Sequence, residues 1–275
     1  GWARGTAAGG PTGVSAGLVA RALDAGLTTC CEKPLAPDRR GTRLIAERAS
    51  GGEVPIQMGF QRRFDRGFRA ARDAVSSGSL GWIHTIRANT GDVAPPPASY
   101  IPTSGGFFRD CSIHDIDAVR FVSGREVVRV YAVGENRGDP FFAESGDVDA
   151  AAAVLTLDDG TIALISGSRY NARGYDVRLE VLGSKDSLSV GMDDQMPLRS
   201  VEAAVRFPLA KPYTDFMERF HQAYVDEMAA FTELVAGRIQ TSCSVLEALQ
   251  AFVVAEACDL SRRQGRPVDI DEVGS

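Results

Sequence analysis

The sequence predicts a partial α/β unit followed by an α+β domain, the latter with a large, mainly antiparallel open sheet flanked by helices. Three observations point there. Up to about residue 61, short apolar runs alternate with amphipathic helical patterns, the rhythm of βαβ units and a parallel sheet. Beyond residue 62 come successive strand-like runs with tight turns, which implies mainly antiparallel pairing. Two long helical patterns then close the chain. The expected domains are therefore residues 1–61 and 62–275.

Each element has a local signal. Residues 1–10 (GWARGTAAGG) read as loop. Ser15 is placed to cap a helix running to about Ala25, with Gly26 as its stop. Leu27 to Cys31 is short and apolar enough for a buried strand, and Asp38 is placed to cap a helix reaching Ala49 before Gly51 and Gly52. The run VPIQMGF, from Val54 to Phe60, is the next strand. A helix is expected over about Arg66–Ser77 and a strand over Trp82–Asn89. A loop with Pro95, Pro96 and Pro97 closes at Gly105 and Gly106, and a helix follows over about Asp110–Val122. Strands are expected over Val127–Gly134, Val148–Leu157, Thr161–Arg169, Asp176–Leu182 and Ser187–Val190. Asp158, Asp159 and Gly160 supply a hairpin turn between two of them. Helices over Asp215–Ala236 and Ser244–Arg263 precede a final extended PVDID.

Composition narrows the function classes. The chain has 275 residues, 44% of them hydrophobic, and a formal charge of −6. This is an ordinary globular composition, and the acidic balance argues against nucleic acid as a partner. No apolar run is long enough to span a bilayer and the start does not resemble a signal peptide. Five scattered cysteines, Cys30, Cys31, Cys111, Cys243 and Cys258, form no C-x-x-C pair, so buried free thiols in a reducing cytoplasm are expected. With three scattered histidines, no metal site is expected. Only Lys33, Lys185 and Lys211 are lysines among the 30 basic residues. A lysine retained in that background can do chemistry that arginine cannot, because burial tunes its pKa.

Two stretches carry candidate chemistry. In FRDCSIHDID, Asp110, His114 and Asp117 fall at i, i+4 and i+7, on one face of a helix. A carboxylate four residues from an imidazole can orient it and raise its basicity, as a general base requires. The plainer alternative makes Asp110 a helix cap and His114 an ordinary polar residue. In CCEKPLAPD, Lys33 follows a strand directly, at the carboxyl edge where open α/β sheets bind ligands. Arg62 follows the next strand and is a candidate for the same edge. No G-x-G-x-x-G or G-x-x-x-x-G-K-[ST] occurs.

Taken in order, Glu32-Lys33-Pro34, the proline loop, Asp110-x-x-x-His114 and GYDVRLEVLGSKDSL resemble the glucose–fructose oxidoreductase and inositol dehydrogenase (Gfo/Idh/MocA) family. The resemblance extends from about Pro11 onward and is nearest to the inositol 2-dehydrogenase branch. It implies a partial Rossmann-like domain, then a substrate and oligomerisation domain. It also implies NAD- or NADP-dependent oxidation of a ring hydroxyl of a cyclic polyol or sugar. In that reading Lys33, Asp110 and His114 are catalytic, and Arg62, Asp117 and Tyr175 bind substrate. Pro11, Thr12, Glu32, Lys33 and Pro34 border the cofactor. The family's opening strand, glycine-rich loop and helix would precede Gly1, and Ser15 stands where the family's later P-T-x-x-H pattern has His. A second reading is a non-catalytic relative that binds sugar or forms oligomers. A homo-oligomer, dimer or tetramer, is expected, with Leu155, Leu157, Ile162 and Leu164 as an exposed apolar sheet face.

Overall fold

The structure is a computed structural model that describes residues 4–8, 12–33, 35, 39–50 and 54–274. The chain gathers into two compact units, Gly1–Asp65 with Gln222–Val253, and Arg66–His221 with Val254–Ser275. The first unit thus takes in residues 222–253 as well as the N-terminal segment.

The first unit is built on three parallel strands. β1 (Gly5–Ala8), α1 (Thr12–Asp24), β2 (Thr28–Glu32), α2 (Arg39–Ser50) and β3 (Ile56–Gly59) follow in order. The sheet runs β1-β2-β3, with Ala7 opposite Cys30 and Cys30 opposite Gln57. β2 is central, so Cys30 and Cys31 are both buried although they point to opposite faces. Residues 221–235 form helix α8 (His221–Val235), whose Phe231 and Leu234 pack on Cys30. Two expectations are corrected. GWARGTAAGG is not all loop, because Gly5–Ala8 pairs with β2. The first helix starts at Thr12, which puts Ser15 inside it and not at its cap. Asp38, Gly51 and Gly52 lie outside the described residues.

The second unit opens with α3 (Arg66–Ser76), β4 (Ile83–Gly91), α4 (Ile101–Ser104), α5 (Ile113–Ser123) and β5 (Val127–Glu135). It continues with α6 (Phe141–Glu144), β6 (Ala150–Leu157), β7 (Ile162–Ser168), β8 (Asp176–Gly183) and β9 (Ser187–Val190). A short α7 (Phe216–Arg219) follows, then the part of α9 (Val245–Gln264) from Val254 on, β10 (Val268–Asp269) and α10 (Asp271–Gly274). The helix expected over Asp215–Ala236 is therefore two helices, α7 and α8. The sheet order is β10-β5-β6-β7-β4-β8-β9. Its pairs are antiparallel except β4 with β7, which is parallel.

Helices α3 and α5 lie on one face of this sheet. The side chains alternate accordingly: Ala151, Ala153, Leu155 and Leu157 are buried, whereas Val154 is exposed. This corrects the expected exposed face. Leu155 and Leu157 belong to the core, while Ile162 and Leu164 share the open face with Tyr131, Val133 and Val154. In register Leu155 faces Ala163 and Val154 faces Leu164, so the two strands are offset by one residue from the sequence reading.

A buried polar tie joins α5 to β4. The Thr90 hydroxyl lies 2.9 and 2.8 Å from the two carboxylate oxygens of Asp115, which is 1% exposed. Removing the donor leaves the buried carboxylate with one bond fewer. Thr90→Val is expected to cost about 1–3 kcal/mol in urea unfolding, and an unchanged midpoint would contradict this role.

Candidate active site

In the second unit, the site begins where the chain turns into α5. Gly105 and Gly106 adopt φ of 86° and 93°, a left-handed path that a side chain resists. They lead into a π-helical turn, Phe108–Ser112, and only then into α5. Single π turns recur at functional sites. The expected helix start at Asp110 is corrected. Asp110 lies inside the π turn, its N–H donating to the Gly106 carbonyl at 2.9 Å. The α5 cap position is Ser112, without a side-chain capping bond, so Asp110 is not the cap of α5.

The Asp110 carboxylate is held from two sides. Tyr100 Oη donates to Oδ1 at 2.8 Å and Arg169 Nη2 donates to Oδ2 at 2.6 Å. Burial, then the Asp110 charge, pushes the Tyr100 phenol well above its ordinary pKa, which keeps it a donor. Arg169 Nη1 donates to Asp92 Oδ2 at 3.0 Å, and the guanidinium lies 5.3 Å from the Phe107 ring centroid. Burial works against the Arg169 charge, but Cys111, Asp110 and Asp92 outweigh it and raise its pKa. Cys111 is buried beside this group and its thiol is pushed strongly upward, chiefly by burial. His114 follows Asp110 by four residues at the start of α5 and is half-buried. Asp117, in the middle of α5, is 0% exposed, and Tyr175 is buried with its N–H donating to the Tyr213 carbonyl.

In the first unit, Lys33 follows the last residue of β2 and is half-buried. The Glu32 carboxylate lies against Gly59 of β3, where a Cβ would come within 2.8 Å of Glu32 Oε2. Glu32 keeps contact with solvent, yet the protein around its carboxyl raises its pKa, and the adjacent Lys33 pulls it back. Arg62 is buried in a 3₁₀ turn, Gln61–Phe64, and not on the surface. Pro11 and Pro34 lie outside the described residues, and for Thr12 only its place in α1 is described. Lys33 and Arg62 therefore stand in one unit, and Asp110, His114, Asp117 and Tyr175 in the other.

Sequence reasoning missed Arg169 and Tyr100. The signal for Arg169 is topological: β4 and β7 pair in parallel with Gly91 opposite Ser168, so the next residues, Asp92 and Arg169, emerge side by side. Nothing local in the sequence says which strands are neighbours.

Residues 68–189 match the GFO/IDH/MocA C-terminal domain. An uncharacterized oxidoreductase of Bacillus subtilis, YrbE, is 38% identical over 95% of this chain and 76% of its own length. The inositol 2-dehydrogenase of Rhizobium meliloti is 34% identical over 94% of this chain and 78% of its own length. This chain belongs to the Gfo/Idh/MocA family. Among solved structures of similar proteins is the scyllo-inositol dehydrogenase of Lactobacillus casei with bound NAD(H) and scyllo-inositol. It superposes with a TM-score of 0.83 at 30% identity, over 95% of this chain and 78% of that one.

The first unit also holds a buried acid that the motifs do not include. Glu227 of α8 is 3% exposed, and its backbone carbonyl accepts from Gln57 Nε2 at 3.2 Å. Burial first, then the Glu32 charge, pushes its pKa up to about 8. Native protein therefore holds a proton that unfolded chain releases near the ordinary carboxylate value, and stability falls as pH rises through that window. Glu227→Gln should flatten the pH dependence of urea unfolding between pH 5 and 8, by at most about 1.4 kcal/mol per pH unit. Identical slopes in the two proteins would show Glu227 already ionised in the native state.

Proposed function

We propose that the chain is an NAD-dependent dehydrogenase that oxidises a ring hydroxyl of a cyclic polyol, of the inositol 2-dehydrogenase kind. The observation that carries this is an anchored Asp110 four residues before His114. It occurs in a chain 34% identical to an inositol 2-dehydrogenase. A parallel sheet with Glu32 and Lys33 at the carboxyl end of its central strand fits a nicotinamide dinucleotide. Glu32 and Lys33, with Pro11, Thr12 and Pro34, are the residues assigned to it.

The chemistry needs a base, an orienting acid and an oxygen ligand. His114 takes the hydroxyl proton, and the electron pair of the O–H bond becomes the C=O π bond as hydride leaves the same carbon. Asp110 orients the imidazole and the polyol. Lys33 hydrogen-bonds the reacting oxygen and steadies the charge that grows there. Arg62, Asp117 and Tyr175 are assigned to the walls that read the remaining hydroxyls. Bound nicotinamide is the hydride acceptor. Hydroxyl-reading sites discriminate strongly, because a missing hydroxyl leaves buried groups unpaired.

The same reading makes the protein a cytoplasmic homo-oligomer. None of the five cysteines forms a disulfide and all are buried, as a reducing compartment permits, and no described helix is long and apolar enough to cross a membrane. The open face of the large sheet exposes Tyr131, Val133, Val154, Ile162 and Leu164. A second copy of the chain is its proposed cover.

Two measurements follow. His114→Ala and Lys33→Ala are each expected to lower kcat for NAD-dependent inositol oxidation by about 100-fold or more, with an unchanged circular-dichroism spectrum. Near wild-type turnover in either variant would remove that residue from the assignment. In sedimentation, the protein should run as a dimer or larger and Leu164→Arg as a smaller species. A monomeric parent would refute the sheet-face contact.

A further inference from the structure

We propose that Arg169 is the positioning residue for Asp110: it fixes the carboxylate that orients His114, and its charge sets the acidity of that pair. The inference rests on the reading of Asp110 and His114 given above and names a residue which that reading does not use.

The geometry is particular to this sheet. Its one parallel pair among the described strands, β4 with β7, ends with Gly91 opposite Ser168. Asp92 and Arg169 are the residues just past those ends. The backbone keeps them there: Asp92 N–H donates to the Ser168 carbonyl at 2.9 Å, and Arg169 N–H donates to the Asp149 carbonyl at 2.8 Å. Asp92 then takes one arm of the guanidinium at 3.0 Å, and Phe107 lies alongside it. The other arm is left to reach Asp110 at 2.6 Å. The Arg169 side chain is 6% exposed and that of Asp110 12%.

Such burial argues for a purpose beyond stability. A buried ion pair recovers little net stability, because both charges lose their water. What the guanidinium does supply is direction, since Asp92 holds one arm while the other donates to one Asp110 oxygen and Tyr100 donates to the second. The charged and titratable groups around the pair are Asp92 past β4, Tyr100 before α4, Cys111 in the π turn and Asp115 in α5. Tyr100 and Cys111 are both pushed toward their neutral forms, mainly by burial. Arg169 is accordingly a positive group set directly between two carboxylates, Asp92 and Asp110. Removing its charge makes the surroundings of Asp110 and His114 more negative, and both should hold protons to higher pH.

The test compares Arg169→Gln and Arg169→Lys with the parent protein. Steady-state inositol oxidation is measured as a function of pH, and the three histidines, His84, His114 and His221, are titrated by NMR. His114→Asn identifies the His114 signal. For Arg169→Gln we expect kcat to fall about 10-fold or more, as misplaced catalytic groups do, with KM changed less than threefold. The acidic limb of kcat/KM and the His114 midpoint should both move to higher pH, while His84 and His221 stay. Arg169→Lys, which keeps the charge and loses the fork, should hold the His114 midpoint near that of the parent but only partly restore kcat.

A folded Arg169→Gln with parental kcat, or with an unmoved His114 midpoint, would overturn the proposal. If Arg169→Gln does not fold, Arg169→Lys decides: a lowered kcat at an unmoved midpoint supports it and parental kcat refutes it. Should the parent oxidise no cyclic polyol, the functional reading fails, and the imidazole titration still decides whether Arg169 controls His114.

Discussion

The second unit depends on one feature of strand order, the parallel pairing of β4 with β7 inside a sheet whose other pairs are antiparallel. Antiparallel neighbours bring the end of one strand beside the start of the next. A parallel pair brings two carboxyl ends together, and here those ends deliver Asp92 and Arg169 to the same place. The Gly105–Gly106 turn and the π turn bring Asp110 to the free arm of Arg169. Helix α5 then starts from that fixed point with His114 in its first turn. Sheet topology, not helix propensity, thus sets where the candidate base stands.

The charge arrangement follows from the same constraint. Arg169 meets two carboxylates, Asp92 and Asp110, and shares their negative charge in a largely buried setting. Tyr100 answers part of it with a hydroxyl donor at 2.8 Å, and Phe107 packs along the guanidinium. The first unit solves a related problem differently. Glu227 has little contact with water and is kept neutral to about pH 8 by burial and by Glu32. One unit pairs its acid with a guanidinium, and the other holds its acid neutral by burying it.

What was legible in the sequence was what depends on neighbours along the chain. Asp110 and His114 stand out because four residues is a helical spacing, and Lys33 because it follows an apolar run and precedes Pro34. Strand alternation was also legible, but its phase between neighbours was not. Leu155 and Leu157 look like Ile162 and Leu164, yet the register sends the first pair into the core and the second outward. Gly5–Ala8 is GTAA, with little β propensity of its own, and it is a strand through its pairing with β2. Arg169 gave no local sign at all, because its importance comes from Asp92, a residue far off in sequence and adjacent in the sheet.

In the proposed function, Asp110 and His114 face a cyclic polyol. The most direct measurement is a crystal structure of the protein grown with NAD and myo-inositol. Ring hydroxyls are expected within about 3 Å of the Asp110 carboxylate and the His114 imidazole, with Arg169 still bridging Asp92 and Asp110. A polyol bound with neither residue in contact would contradict it.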